Sequence, residues 1–285
     1  STDVPAGQGF THSSKITTVT QVSQPSGTSN RHQLYTMLEK QDVAHLEWGT
    51  SAAKTCTLSF WVKSSVTGTH ILWFRHYGGT THSYYTNYTI NSANTWEKKT
   101  ITLTGYTSGG NVTGTLSDQG ILIEWNLGTS SGNETGTLNE WTTSSDIRAA
   151  AGSVYLPEHS GATWYLTGCQ FEVGSVMTPF EHRSFGEEED RCMRYYEEGS
   201  FSFRASGSIV RYCQAFNTRK RANPTMKVYY DSSKATDGTI NSGNSNNSGW
   251  SRNPTGKNAF NIEKNTGSNG NGVDFAGYYT AESEL

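Results

Sequence analysis

The stretch TCTLSFWVKS, Thr55 to Ser64, alternates strictly. Cys56, Leu58, Phe60 and Val62 fall on one side, and Thr57, Ser59, Trp61 and Lys63 on the other. Period two with one apolar side predicts an antiparallel strand with one face on a core. THILWFRH, HSYYTNYTI, EKKTITLTG, GILIEWNLG and TWYLTGCQFEV predict further strands. Gly, Ser and Asn clusters at Gly78-Gly79, Gly109-Gly110 and Ser130 to Gly132 part some of them. No helical period intervenes and no repeat of fixed length recurs. The pattern therefore predicts a jelly-roll β-sandwich, not a solenoid or propeller.

After Thr178-Pro179 the pattern changes. Ser184 followed by Glu187 fits a capping box at the start of a short helix. Glu187 with Arg191, and Asp190 with Arg194, have the acid-first spacing that supports one. The acid run then reads as the solvated side of this helix, and Cys192 and Tyr196 as an inward face. Strand patterns return in SIVRYCQAFN, TMKVYY and VDFAGYYTAESEL. Between them, Asp231 to Gly272 is polar apart from Trp250, Phe260 and Ile262, as surface hairpins tethered by single buried residues would be. Arg219, Lys220 and Arg221 read as a solvated turn. The expected organisation is all-β: a jelly-roll domain over 1–183, a connecting helix over 184–198 and a smaller β domain over 199–285.

Composition narrows the function. The 285 residues carry a formal net charge of −3 and a pI near 6.2, with no basic field to meet nucleic acid. No apolar run is long enough for a membrane helix. Aliphatic residues are sparse, and 8 Trp and 15 Tyr supply volume in their place. The four cysteines, Cys56, Cys169, Cys192 and Cys213, lack C-x-x-C spacing. They predict neither a zinc site nor a disulfide framework, with Cys56 and Cys169 as buried thiols. His70, His76 and His82 recur six apart, which is no ligand spacing, and read as surface or turn residues. No metal and no cofactor are expected.

Three stretches carry a resemblance. They are SFWVKS at Ser59 to Ser64, WEKKTIT at Trp96 to Thr102, and QFEVGSVMTPFEHR at Gln170 to Arg183. Cys192, Arg194, Tyr195 and Tyr196 complete the last, and ANPTMKV and AESEL extend the likeness toward the C-terminus. Together they resemble a family of tailed-bacteriophage virion proteins with the pattern Q-x-E-x-G-x-x-x-T-P-F-E-x-R. Met177 and the polar GEEEDRCM depart from the usual pattern. The resemblance implies a structural protein of the virion, assembled in the bacterial host cytoplasm and carried on a tail fibre or other surface. It also implies a carbohydrate-binding-module-like jelly roll, a homotrimer and contacts with other virion proteins. It supplies no catalytic residues.

Glycan recognition by such a sheet needs flat aromatic rings for sugar faces and a few polar groups for hydroxyls. Alternation places Trp61 opposite the core side of its strand, Trp73 with Arg75, Glu124 opposite Ile121, Ile123 and Trp125, and Trp164 with Gln170. Trp61, Trp73, Arg75, Glu124 and Trp164 are therefore the candidates for one host-glycan patch. The same rings would equally serve as packing beneath a loop, a domain or a subunit, as in a capsid decoration protein. Glu124 and Glu172 could be imagined as the paired acids of a polysaccharide depolymerase, yet no paired-acid motif surrounds either. Display without chemistry is the expectation.

Overall fold

In the computed structural model, the chain is described over residues 1–27, 30–134, 137–143, 149–204, 209–242, 245–265 and 273–284. It divides into two compact units, Ser1–Glu181 and His182–Leu285.

The first unit contains nine strands: β1 (Ser14–Thr17), β2 (Arg31–Glu39), β3 (Thr55–Ser64), β4 (Gly68–His76), β5 (His82–Ile90), β6 (Glu97–Thr104), β7 (Gln119–Thr129), β8 (Trp141–Thr142) and β9 (Thr163–Val173). They form two antiparallel sheets, a four-stranded one ordered β1-β9-β3-β6 and a five-stranded one ordered β2-β7-β4-β5-β8. The core lies between them, as alternation requires. Leu58, Phe60 and Val62 of β3 meet Leu72 and Phe74 of β4 and Ile121, Ile123, Trp125 and Leu127 of β7. Phe60 joins the layers, its ring edge-on to Tyr88 at 5.2 Å and to Trp125 at 5.6 Å.

Two histidines expected at the surface belong to this interior. His70 and His76 are fully buried, because both share the inward side of β4 with Leu72 and Phe74. Burial pulls the pKa of each down to about 4. His76 Nδ1 lies 2.7 Å from the Tyr106 hydroxyl. Cys56 is a buried free thiol, raised to about 12 by burial; Cys169 is a free cysteine with residue surface open to solvent, while burial around its thiol also pushes it up to about 12.

The second unit opens with the helix Phe185–Met193, closed by the capping box that Ser184 and Glu187 predict: Glu187 N donates to Ser184 Oγ, and Ser184 N donates to Glu187 Oε2. All its acids are exposed. The helix stops short of Glu198, because Tyr196 is already paired with Glu282 in a sheet. Tyr196 and Cys192 are exposed, so the inward face predicted for them does not form.

Eight strands follow: β10 (Tyr196–Arg204), β11 (Ile209–Ala215), β12 (Thr225–Tyr229), β13 (Thr239–Ser242), β14 (Ser245–Ser248), β15 (Ser251–Pro254), β16 (Ala259–Asn265) and β17 (Asp274–Glu282). One sheet runs β10-β17-β13-β14 with β12 also on β17, and another runs β11-β16-β15. Trp250, Phe260 and Ile262 are buried with Val228, Ile240, Phe275 and Tyr279, tethering the polar hairpins as expected. Part of that hairpin region, residues 243–244 and 266–272, lies outside the described residues.

The basic turn is a second departure. Lys220 is buried and forms an ion pair with Glu197 at 2.5 Å. Tyr279 donates to the same carboxylate at 2.6 Å and the Asn217 amide at 3.1 Å, and Lys220 also donates to the Met193 carbonyl. Arg221 donates to the Ser283 and Glu284 carbonyls. Burial works to raise the Glu197 pKa, but hydrogen bonds from Lys220, Tyr279 and Asn217 hold it below the usual carboxylate value. Burial holds Lys220 below its usual value, against the pull of Glu197.

A carboxylate with a depressed folded pKa stabilises the fold above its unfolded pKa, and that contribution is lost as pH falls through the folded value. Protection of β17 amides from hydrogen exchange should therefore decline as pH drops below the ordinary glutamate range, once rates are corrected for intrinsic exchange. Lys220→Met strands a buried charge and should cost about 3–5 kcal/mol by the same readout, whereas replacing Lys220 and Glu197 together with apolar residues should restore most of it. Unchanged β17 protection in Lys220→Met would contradict this account.

Candidate functional site

The five residues proposed as one patch lie in three places. Trp73, Arg75 and Glu124 share the outward face of the five-stranded sheet. Trp61 is half-buried on the outward face of the four-stranded sheet, level with Lys98 and Thr167. Trp164 is fully buried in the core between the sheets, level with Ser64.

The error at Trp164 has a physical cause. The register between β3 and β9 shifts between Ser59 and Trp61, where β9 carries an extra residue. On one side of the bulge Trp164 and Leu166 point inward; on the other Phe171 points inward and Gln170 outward. Gly168 turns the chain there at φ +60°, and a Cβ on it would come within 2.5 Å of the Phe10 ring. Alternation read straight through the bulge puts Trp164 on the wrong side.

Strand register arranges the outward face of the five-stranded sheet as a grid. One row runs Tyr35, Glu124, Trp73, Tyr85 across β2, β7, β4 and β5. The rows beside it are Gln33, Asn126, Ile71, Asn87 and Met37, Leu122, Arg75, Ser83. At the usual strand spacing, four strands span roughly 14 Å. Trp73 and Tyr85 are stacked at 5.8 Å and pack with Leu122, and Met37, Tyr77 and Leu138 pack around them. Trp73, Tyr85, Glu124, Asn126 and Ser83 are buried and form a floor. Solvent reaches the residues above and around it: Tyr35, 49% exposed, with Gln33, Met37, Arg75, Tyr77 and Asn87. Gln33 Oε1 and Arg75 Nε are buried atoms without a hydrogen-bond partner.

Alternation does not single out Gln33, Tyr35 and Met37, because RHQLYTMLE has apolar residues on both parities and lacks the period-two signal of a strand. Tyr85 lies in a legible strand, HSYYTNYTI, but only its pairing with Trp73 sets its side.

Glu172 sits elsewhere. It lies on the outward side of β9, in the four-stranded sheet, and so does not share a cleft with Glu124. Its carboxylate accepts from the Thr178 amide at 2.9 Å, the Thr178 hydroxyl at 2.7 Å and Gln170 Nε2 at 3.1 Å. Gln170 Oε1 accepts from the Glu181 amide at 2.8 Å, and Phe180 meets Phe10 edge-on at 5.0 Å. Burial works to raise the Glu172 pKa, but the Thr178 and Gln170 hydrogen bonds, with the charge of Lys98, hold it below the usual value. Gln170 to Glu181 is therefore a knot that fixes the exit from the sandwich. No group of His, Cys, Asp or Glu with the spacing to hold a metal occurs among the described residues, and no helix among them is long and apolar enough to cross a membrane.

No protein-family model matches the chain, and no curated protein does. Among solved structures, "Family 16 Carbohydrate Binding Module-2" aligns at TM-score 0.28 and 11% identity, over 58% of this chain and 79% of its own. "CBM4 structure and function" aligns at 0.27 and 18%, over 53% and 66%. Wild-type discoidin II from Dictyostelium discoideum aligns at 0.19 and 11%, over 99% and 100%. Similarity at this level carries no information about a ligand.

The two indoles distinguish core from surface directly. Trp164→Ala should destabilise the first unit by about 3–5 kcal/mol in urea denaturation, whereas Trp61→Ala should cost about 1 kcal/mol. Equal losses would contradict their placement.

Proposed function

We propose that the first unit binds carbohydrate on the outward face of its five-stranded sheet, and that the protein serves on the surface of a tailed-phage virion, as a fibre or similar attachment element. Tyr35, with Gln33, Arg75, Tyr77 and Asn87 reached by solvent around a buried floor of Trp73, Tyr85, Glu124 and Asn126, is the observation that carries the glycan reading. Aromatic faces suit the apolar faces of sugar rings, and amide, carboxylate and guanidinium groups suit their hydroxyls. Tyr35 is the ring a ligand meets first. Its strand ends the sheet, so a long chain could lie across the grid and continue past the edge. The virion setting rests on the sequence resemblance, strongest over Gln170 to Arg183. The same resemblance supports a homotrimer, in which three weak sites would act together through avidity.

A second reading has its own observation. Val173, Val176 and Met177 are 46%, 75% and 38% exposed where β9 leaves the four-stranded sheet. A decoration protein would bury such residues against a capsid or fibre subunit.

Tyr35→Ala should weaken binding to an array of bacterial surface polysaccharides about tenfold or more, with an unchanged melting temperature. Val176→Asp should leave that binding intact. Immunogold labelling of intact virions should mark tail fibres. Undiminished glycan binding in Tyr35→Ala would overturn the assignment to this face, and label confined to the head would favour decoration.

A further inference from the structure

Arg75 is the anomaly of this face. Its guanidinium carbon lies 5.8 Å from the Trp73 ring centroid and 5.2 Å from that of Tyr77, so aromatic rings hold it in place. Its Nε is buried and has no hydrogen-bond acceptor among the described residues. No ion pair to an acidic side chain is formed by Arg75 among the described residues, although Glu124 stands only one row away on the same face. Lys220, a fully buried cation, is by contrast matched to a carboxylate and a carbonyl.

Leaving a desolvated donor unmatched costs stability. An arginine set beside two aromatic rings, partly open to solvent and without an acidic partner among the described residues, is arranged to receive a planar oxyanion from outside on its terminal nitrogens, since its fork fits a carboxylate with two parallel hydrogen bonds. We infer that the glycan recognised on this face is acidic, a polysaccharide containing uronic acid, and that Arg75 receives the sugar carboxylate while Tyr35 holds a ring beside it. This rests on the glycan reading of the face. Arg75 sets specificity and Tyr35 gives general affinity: one sits in the row of Met37, Leu122 and Ser83, the other in the neighbouring aromatic row.

The probes are polygalacturonate, alginate and hyaluronan, each beside its carboxyl-reduced form, which keeps the sugar stereochemistry and removes the charge. Binding by the full chain is measured by biolayer interferometry for wild type, Arg75→Gln, Arg75→Lys and Tyr35→Ala, with near-UV circular dichroism to confirm folding. The expected result is that at least one acidic polymer binds at least tenfold more tightly than its reduced form, and that added salt weakens it. Arg75→Gln should erase that preference while keeping the residual affinity for the reduced polymer. Arg75→Lys should retain part of it, and Tyr35→Ala should weaken both forms alike. Equal binding of acidic and reduced forms, or an acidic preference that survives in folded Arg75→Gln, would overturn the inference and leave the glycan reading standing. Binding to none of these polymers and to none of the arrayed polysaccharides would overturn both.

Discussion

Phe60 meets the rings of Tyr88 and Trp125 across the interior of the first unit, and this edge-on contact settles which side of each strand faces out. In a pleated strand the choice is all or nothing. Once Ile123 and Trp125 point at Phe60, Glu124 must point away from it; once Leu72 and Phe74 fill the core, Trp73 and Arg75 must stand on the outward side. The candidate site follows from the aromatic core. Slipping any of these strands by one residue would bury a charge and expose a row of aliphatics, so burial itself fixes the register.

The same logic explains what could be read from the sequence. Where strands are regular, parity was enough: β3, β4 and β7 put Trp61, Trp73, Arg75 and Glu124 on the sides their neighbours imply. Parity does not say which outward face a residue occupies, because that depends on sheet order. Hence Trp61 was grouped with residues on the other side of the sandwich. It also fails across a bulge, and Trp164 was misplaced for that reason. β2 was invisible because an edge strand need not alternate cleanly, so Tyr35 was lost with it. The capping box at Ser184 was legible because it is a local device. Lys220 was not, since its partner Glu197 is brought beside it only by the fold.

The two units treat buried polar groups differently. In the second, Lys220, Glu197 and Tyr279 satisfy one another behind a small aromatic core, where breaking one partner would leave the others costly. Glu172, Gln170 and Thr178 do the same at the end of the first unit, and this accounts for the Gln170 to Glu181 stretch as architecture. Arg75 stands apart from both networks. It is held by aromatic rings on a face that also carries an open tyrosine and an unmatched glutamine oxygen. Structural networks close on themselves, whereas recognition surfaces leave donors and acceptors for something else.

The most direct test of the account is a nuclear magnetic resonance titration of the protein, labelled with nitrogen-15, with a polysaccharide that it binds. The account predicts that the Trp73 indole signal and the amides of 33–37 shift together and saturably, while the Trp61 indole of the other sheet stays in place. A shift of the Trp61 indole, with Trp73 and 33–37 unmoved, would place the binding face on the opposite side of the sandwich and contradict it.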